Sequence, residues 1–418
     1  MTSFEERAKA VRADRDPVSR TATLLPDPDR QPRYYTVISV DDHIVEPPDT
    51  FAGRLPAKLA DRGPRVIERP DGVETWLYDG IELPNIGFNA VAGRPLEEMS
   101  YDPTRFDEMR RGSWDIKARL HDMDLDGIYA SLNFPSFLPG FAGIRMQTIT
   151  KDRELALASI RAWNDWHIES WAAQDPARII PCQITWLHDP GIAAEMVRAN
   201  AQRGFKALSF PEATEKAGFP SIHTRHWDPL WAACEETGTP VCVHIGSSGT
   251  LPPTAPDAPP EVAGVLFGGY AMMTTIEWLY SSIPLRFPNI KIVMSEGGIG
   301  WVPSILDRLD HRQKHEVLFD TFKGAGVTPV EVLRRNFWFC ALDDPSTMGL
   351  YERIGTDRIL VEADYPHSDS SWPDTQSQLK AALDGLPEAV VRKLTWQNAS
   401  ELFRHAVPAE VVADPESF

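Results

Sequence analysis

The chain lacks the features that would place it in a membrane or outside the cell. No stretch of about twenty uninterrupted apolar residues occurs, so no membrane-spanning helix is expected. The opening Met1-Thr2-Ser3-Phe4-Glu5-Glu6-Arg7 carries no apolar signal region, and secretion is not expected either. Cysteine is scarce. The four present, Cys182, Cys234, Cys242 and Cys340, show no C-x-x-C spacing and mostly sit in apolar runs, which reads as reduced core residues of a cytoplasmic protein. Positive charge is in deficit, with 42 Lys and Arg against 60 Asp and Glu and a net charge of -18. A phosphate backbone or an anionic membrane surface would be repelled over most of such a molecule. Nucleic-acid and membrane partners are therefore not expected, and a small-molecule substrate is. Finally, no G-x-G-x-x-G follows the first strand-like run, which removes the main signature of a dinucleotide fold.

What the chain does have is a rhythm. Residues 1–34, rich in Arg, Asp and Pro, read as an arm that wraps the body or crosses to a partner subunit, and a homodimer is the expected assembly. Short apolar runs then recur at residues 37–44, 128–133, 179–184, 205–210, 240–244, 290–296, 336–341 and 358–364, with helical segments between nearly all of them. Eight such units imply right-handed crossovers and a parallel sheet covered on both faces. The expected fold class is α/β, a (β/α)8 TIM barrel over residues 35–410, with a tail at 411–418. The stretch 50–115 interrupts the rhythm as an insertion. It contains a hairpin signal over residues 75–83, with Asp79-Gly80 at the turn.

In such a barrel the chemistry lies at the C-terminal strand ends. Strand one ends in Asp41-Asp42-His43; alternation puts Asp41 and His43 on one face and Asp42 on the other, and Glu46 follows just before Pro47-Pro48. Strand five ends in His244, strand six in Glu296 and strand eight in Asp364. Each has a bland reading: a capping Asp beside a hydrogen-bonded His, a satisfied core histidine, a helix-capping anion, a turn former. Their convergence on one rim favours a metal site of Asp41, His43, His244, Glu296 and Asp364, with Glu46 as a further candidate.

Strand-one Asp-x-His, Val243-His244-Ile245-Gly246, Ser295-Glu296-Gly297-Gly298 and Ala363-Asp364-Tyr365-Pro366-His367 together resemble the amidohydrolase superfamily. The branch most similar is amidohydrolase-2, which also contains the aminocarboxymuconate-semialdehyde and resorcylate decarboxylases. Supporting echoes are Arg119-Leu120-His121-Asp122-Met123-Asp124 and Gln397-Asn398-Ala399-Ser400-Glu401-Leu402-Phe403, and the resemblance covers residues 36–405. It implies that Asp41, His43 and His244 ligate a metal and that Asp364 both ligates it and handles a proton. One departure stands out: the decarboxylases carry a histidine at strand six where this chain has Glu296.

A carboxylate at that position can ligate or bridge metals, and the set is rich enough for one or two divalent ions, zinc, iron or manganese. Such an ion lowers the pKa of bound water from about 15.7 towards 7. On this reading Asp364 takes the water's proton, and His367 donates to a developing oxyanion or orients the substrate. Residues 134–137 and 266–272 are candidates to line an apolar pocket, which mildly favours an aromatic substrate. The leading expectation is a hydrolase of an amide, ester or thioester. Behind it stand a non-oxidative decarboxylase of an aromatic or unsaturated acid, and a catalytically silent ligand-binding barrel.

Overall fold

The computed structural model describes residues 22–418 except 100–101, 250–254, 256, 260, 316–320 and 343. Among these the strands are β1 (Ile38–Ile44), β2 (Arg65–Glu68), β3 (Glu74–Tyr78), β4 (Ile81–Pro84), β5 (Ala130–Pro135), β6 (Ile179–Ile180), β7 (Cys182–Gln183), β8 (Ala207–Ser209), β9 (Val241–His244), β10 (Ile292–Ser295), β11 (Phe337–Ala341) and β12 (Ile359–Val361). The large sheet runs β6-β5-β1-β12-β11-β10-β9-β8-β7, and every pairing in it is parallel.

The two ends of that order are the same strand. Only Pro181 separates β6 from β7; β6 pairs with β5 and β7 with β8. Proline has no N–H to give a ladder, so the run breaks at that point while its two halves face opposite neighbours. The sheet therefore closes into a TIM barrel of eight strand positions, as expected. Between strands, helix starts follow from the sequence. Asp115, Asp152 and Asp189 accept from the first free N–H groups of the helices Ile116–Asp126, Arg153–Trp166 and Pro190–Arg203.

The lumen is packed solid. Val40, Leu132, Cys182, Ala207, Cys242, Val293, Cys340 and Leu360 belong to one cluster, closed by Leu402 and Phe403 of the helix Asn398–Phe403. All four cysteines are free and buried. No helix among the described residues is long and apolar enough to cross a membrane.

The insertion holds a second, antiparallel sheet, β2-β3-β4. Its expected hairpin is there: Tyr78 pairs with Ile81 around Asp79 and Gly80, whose φ values of 52° and 77° suit a tight two-residue turn. β2, which pairs with β3 across the Pro70-Asp71-Gly72 turn and was not expected, adds a third strand. Residues 1–21 of the expected arm lie outside the described residues. From residue 22 the arm runs along the body, with Leu25 N donating to Gly93 O and Gln31 N to Leu125 O. The stretch set apart as a tail packs as well, since the Phe418 ring lies 5.2 Å from Tyr129 and beneath the Arg33 guanidinium.

Candidate metal centre

Four strands deliver the centre. β1 presents Asp41 and His43, both fully buried, and β9 ends on His244, also fully buried. After β10 and β12 the chain turns out of the barrel through left-handed residues, Glu296 at φ 56° and Asp364 at φ 54°. Such a conformation costs a non-glycine residue of the order of 1–3 kcal/mol, and it aims both carboxylates across the rim.

His43 Nε2 lies 3.1 Å from His244 Nε2, 3.4 Å from Asp41 Oδ1 and 3.3 Å from Asp364 Oδ1. His244 Nε2 lies 3.4 Å from Asp41 Oδ2. Around one ion with ligand bonds of about 2.0–2.2 Å, neighbouring donors stand about 2.8–3.6 Å apart, so these atoms fit the corners of a single coordination shell. His244 Nδ1 is turned to the Ile245 carbonyl at 2.6 Å, which assigns its proton to that side and leaves Nε2 a lone-pair donor. Both Asp41 oxygens are buried and without a hydrogen-bond donor. A buried carboxylate so left calls for a cation.

Electrostatics agree. Burial, then the neighbouring Asp364, pushes Asp41 well above the usual carboxylate range, and burial, then Asp364 and Asp369, does the same to Glu296. Among the described residues no Lys or Arg pairs with Asp41, Glu296, Glu362 or Asp364. Burial holds His43 and His244 below the ordinary imidazole value, which keeps them neutral. For Asp364 burial acts upward, but the charge of His367 and hydrogen bonds from His367 and His43 outweigh it and hold the carboxyl low. Burial depresses His367, yet Asp364, 2.9 Å from its Nδ1, outweighs burial and raises it.

Three groups of metal-capable donors overlap at this rim: Asp41, His43 and His244; His43, Asp364 and His367; Glu296, Asp364 and Asp369. The donor set suits a divalent cation. Glu46 belongs to none of them. Its Oε1 accepts from Ser136 N and Trp163 Nε1, both at 3.1 Å, on the helix side of the strand end. Asp42 points away from the cluster, as the alternation required.

Aromatic rings wall the site. Phe141 lies 4.4, 4.5 and 5.9 Å from the rings of His43, His244 and His367, and Phe134 lies 5.1 Å from His244. Phe88, from the insertion, backs Phe141 at 6.3 Å. The other expected lining segment packs beside the strand-five end: Leu266, Phe267, Tyr270 and Ala271 cluster with Trp301 and with Ile245, the residue after His244. Sequence reasoning missed Phe141, Glu362, Asp369 and Glu212, whose Oε2 accepts from Gly246 N at 2.9 Å beside the strand-five end. Glu362 was legible, because in the strand-eight run read over residues 358–364 it falls on the same alternation as Asp364.

A family model described as Amidohydrolase matches residues 70–405. No curated protein sequence matches the chain significantly. Among solved structures, an amidohydrolase from Mycobacterium avium subsp. paratuberculosis K-10 is 25% identical, with a TM-score of 0.68 over 88% of this chain and 99% of that one. A dihydroxybenzoic acid decarboxylase from Polaromonas sp. JS666, with bound manganese and the inhibitor 2-nitroresorcinol, is 19% identical, with a TM-score of 0.59 over 88% and 97% of the two chains. A 5-carboxyvanillate decarboxylase from Novosphingobium aromaticivorans DSM 12444, with bound manganese and 3-methoxy-4-hydroxy-5-nitrobenzoic acid, is 18% identical, with a TM-score of 0.62 over 90% and 100%.

The decarboxylases of aromatic acids among these neighbours correct the expectation of hydrolysis. Glu296 had tipped the reading towards a hydrolase. Its Oε2 approaches His244 at Nδ1, 3.5 Å away, on the far side of the ring from the nitrogen that joins the cluster, so it is no argument for an activated water.

Proposed function

Because the chain belongs to the amidohydrolase family, we propose that it is a metal-dependent, non-oxidative decarboxylase of an aromatic carboxylic acid. The observation that carries this reading is the pair of phenylalanine rings, Phe141 and Phe134, set against the imidazoles of the metal-capable cluster. A flat apolar wall beside a cation site suits a planar acid whose carboxylate faces the cation and whose ring faces the wall.

Asp41, His43, His244 and Asp364 would hold one divalent ion, for which manganese is our choice because the two named decarboxylases carry it. Bound there, the ion supplies Lewis-acid binding of the substrate carboxylate. The chain's own residues supply the proton. His367 turns Nδ1 to Asp364, while its Nε2 is buried without a partner. From Nε2 a proton passes to the ring carbon that bears the carboxylate. The carbon–carbon bond then breaks, carbon dioxide leaves, and the bonding pair restores the aromatic ring. His367 is reprotonated from solvent, with Asp364 holding the imidazolium in place. Phe141 and Phe134 exclude competing water from the carbon centre.

The test is to incubate manganese-loaded protein with a panel of hydroxybenzoic and methoxybenzoic acids in deuterated water. Carbon dioxide release with one deuterium at the vacated ring position is expected. Hydrolysis of esters or amides without carbon dioxide release from any acid would overturn the reading.

A further inference from the structure

The backbone of β1, with the side chains of Ser39 and Asp42, holds the strand-eight turn in place through bonds that use none of the ligand atoms. Three successive N–H groups of that turn all donate to β1: Ala363 N to Ser39 Oγ at 2.9 Å, Asp364 N to Asp41 O at 2.8 Å and Tyr365 N to Asp42 Oδ1 at 2.9 Å. His43 N returns a bond to Tyr365 O at 2.7 Å. Two of the four use side chains, Ser39 Oγ and Asp42 Oδ1, and these residues bracket the irregularity in the register of β1. Asp42 is the side chain that catches the peptide just after the turn.

Its own position is fixed from behind. Oδ2 accepts from Ser131 Oγ; Ser131 Oγ accepts in turn from Asn133 Nδ2 at 2.6 Å, and Asn133 Oδ1 from Trp171 Nε1 at 2.8 Å. The buried Arg119 guanidinium lies 4.4 Å above the Tyr365 ring and donates to the carbonyls of His43 and Gly112. Tyr365 Oη donates to Asp122 at 2.5 Å. The peptide after Asp364 is thus gripped on both sides.

We infer that Asp42 is a positioning residue: by accepting from Tyr365 N it holds Asp364 in its left-handed conformation, with the carboxylate aimed at His43 and the cation site. The inference rests on the reading that Asp364 is a ligand of that site. A left-handed aspartate relaxes to an ordinary conformation once the bond beyond it is lost, and its carboxylate then swings off the cluster. Partners that orient a ligand change metal affinity by about 10–100-fold when removed.

The probe is manganese alone, titrated into metal-free protein and followed by the electron paramagnetic resonance of the free ion. Wild type, Asp364→Asn, Asp42→Ala, Asp42→Asn and Ser131→Ala are compared. Asp42→Ala is expected to bind manganese about 10–100-fold more weakly. Asp42→Asn, which keeps the acceptor for Tyr365 N, is expected to return within about threefold of wild type. Should Asp42→Ala not fold, Ser131→Ala serves, since it frees one anchor of the carboxylate, and a loss of about threefold or more is expected. Unchanged affinity in Asp42→Ala, or in Ser131→Ala where that variant must serve, overturns the inference, as does an Asp42→Asn as weak as Ala. If instead wild type itself binds no manganese, or Asp364→Asn binds as wild type does, the ligand reading fails, a result distinct from the failure of the positioning role.

Discussion

His43 and His244 meet nitrogen to nitrogen, Nε2 to Nε2 at 3.1 Å, inside a fully buried cluster. With the His244 proton committed to the Ile245 carbonyl, that ring offers only a lone pair, and Asp41 adds two oxygens that no donor satisfies. The arrangement is stable when a cation sits among these atoms. Protein purified without chelator should therefore carry about one divalent ion per chain by elemental analysis. His244→Ala should lose it. Chelation should lower the melting temperature, as expected when a ligand worth about 2.7 kcal/mol at a hundredfold excess over its Kd is removed. A folded protein that binds no divalent ion under any condition would refute the metal centre.

Of the two phenylalanine rings on the cluster, Phe141 stands nearer its imidazoles, 4.4 Å from His43 and 4.5 Å from His244, and it ligates nothing. Phe141→Ala removes aromatic contacts worth about 0.5–1.5 kcal/mol, so KM for an aromatic acid should rise about 2–13-fold with metal content unchanged. Equal KM values in variant and wild type would show that the wall does not contact substrate.

How far the sequence reached depends on where each residue lives. Asp41, His43, His244 and Asp364 were legible because strands have a period of two and barrel strands end at one rim. Glu362 obeys the same alternation and was overlooked as strand interior. Phe141 and Asp369 arrive on loops whose paths are set by tertiary packing, so no spacing announces them. Glu46 was overread for the opposite reason: its residue type fits a metal, but Ser136 N and Trp163 Nε1 hold its carboxylate elsewhere. The Asp79-Gly80 turn was visible because left-handed backbone favours those residues. Barrel closure was expected from the eight strand units, but the way it is made was not visible, because it depends on β6 and β7 facing different neighbours across Pro181.

Glu46 should show itself in stability rather than in metal content. Burial raises its pKa to about 7, against the partial relief of the bonds from Ser136 N and Trp163. A folded-state pKa above the unfolded value favours the protonated fold, so this contribution is fully present below about pH 4.5 and is lost as pH rises through 7. The shift corresponds to about 3 kcal/mol as an order of magnitude. Glu46→Gln should remove that slope, leaving the variant more stable than wild type at pH 8 and similar at pH 4, measured by denaturant midpoints across the range. Parallel pH profiles for the two proteins would exclude the buried-acid assignment.

Glu296→Gln decides what the strand-six carboxylate does. Its Oε2 lies 3.5 Å from Nδ1 of His244, and that nitrogen already gives its proton to Ile245. On this geometry Glu296 stands behind a ligand and, once a cation offsets the burial and neighbouring carboxylates that favour its neutral form, contributes charge rather than a bond. Glutamine keeps the shape and removes the charge, so metal content should stay at about one ion, with affinity reduced less than about tenfold. The competing outcome has a structural basis too, since Glu296, Asp364 and Asp369 bring three donors within 4.8 Å of one another at the rim. If a second ion used that trio, wild type would hold two equivalents, Glu296→Gln would lose one, and Asp364→Asn would weaken both. Metal stoichiometry in these three proteins therefore separates one shared ion from two, and a two-to-one drop in Glu296→Gln would sink the single-ion site.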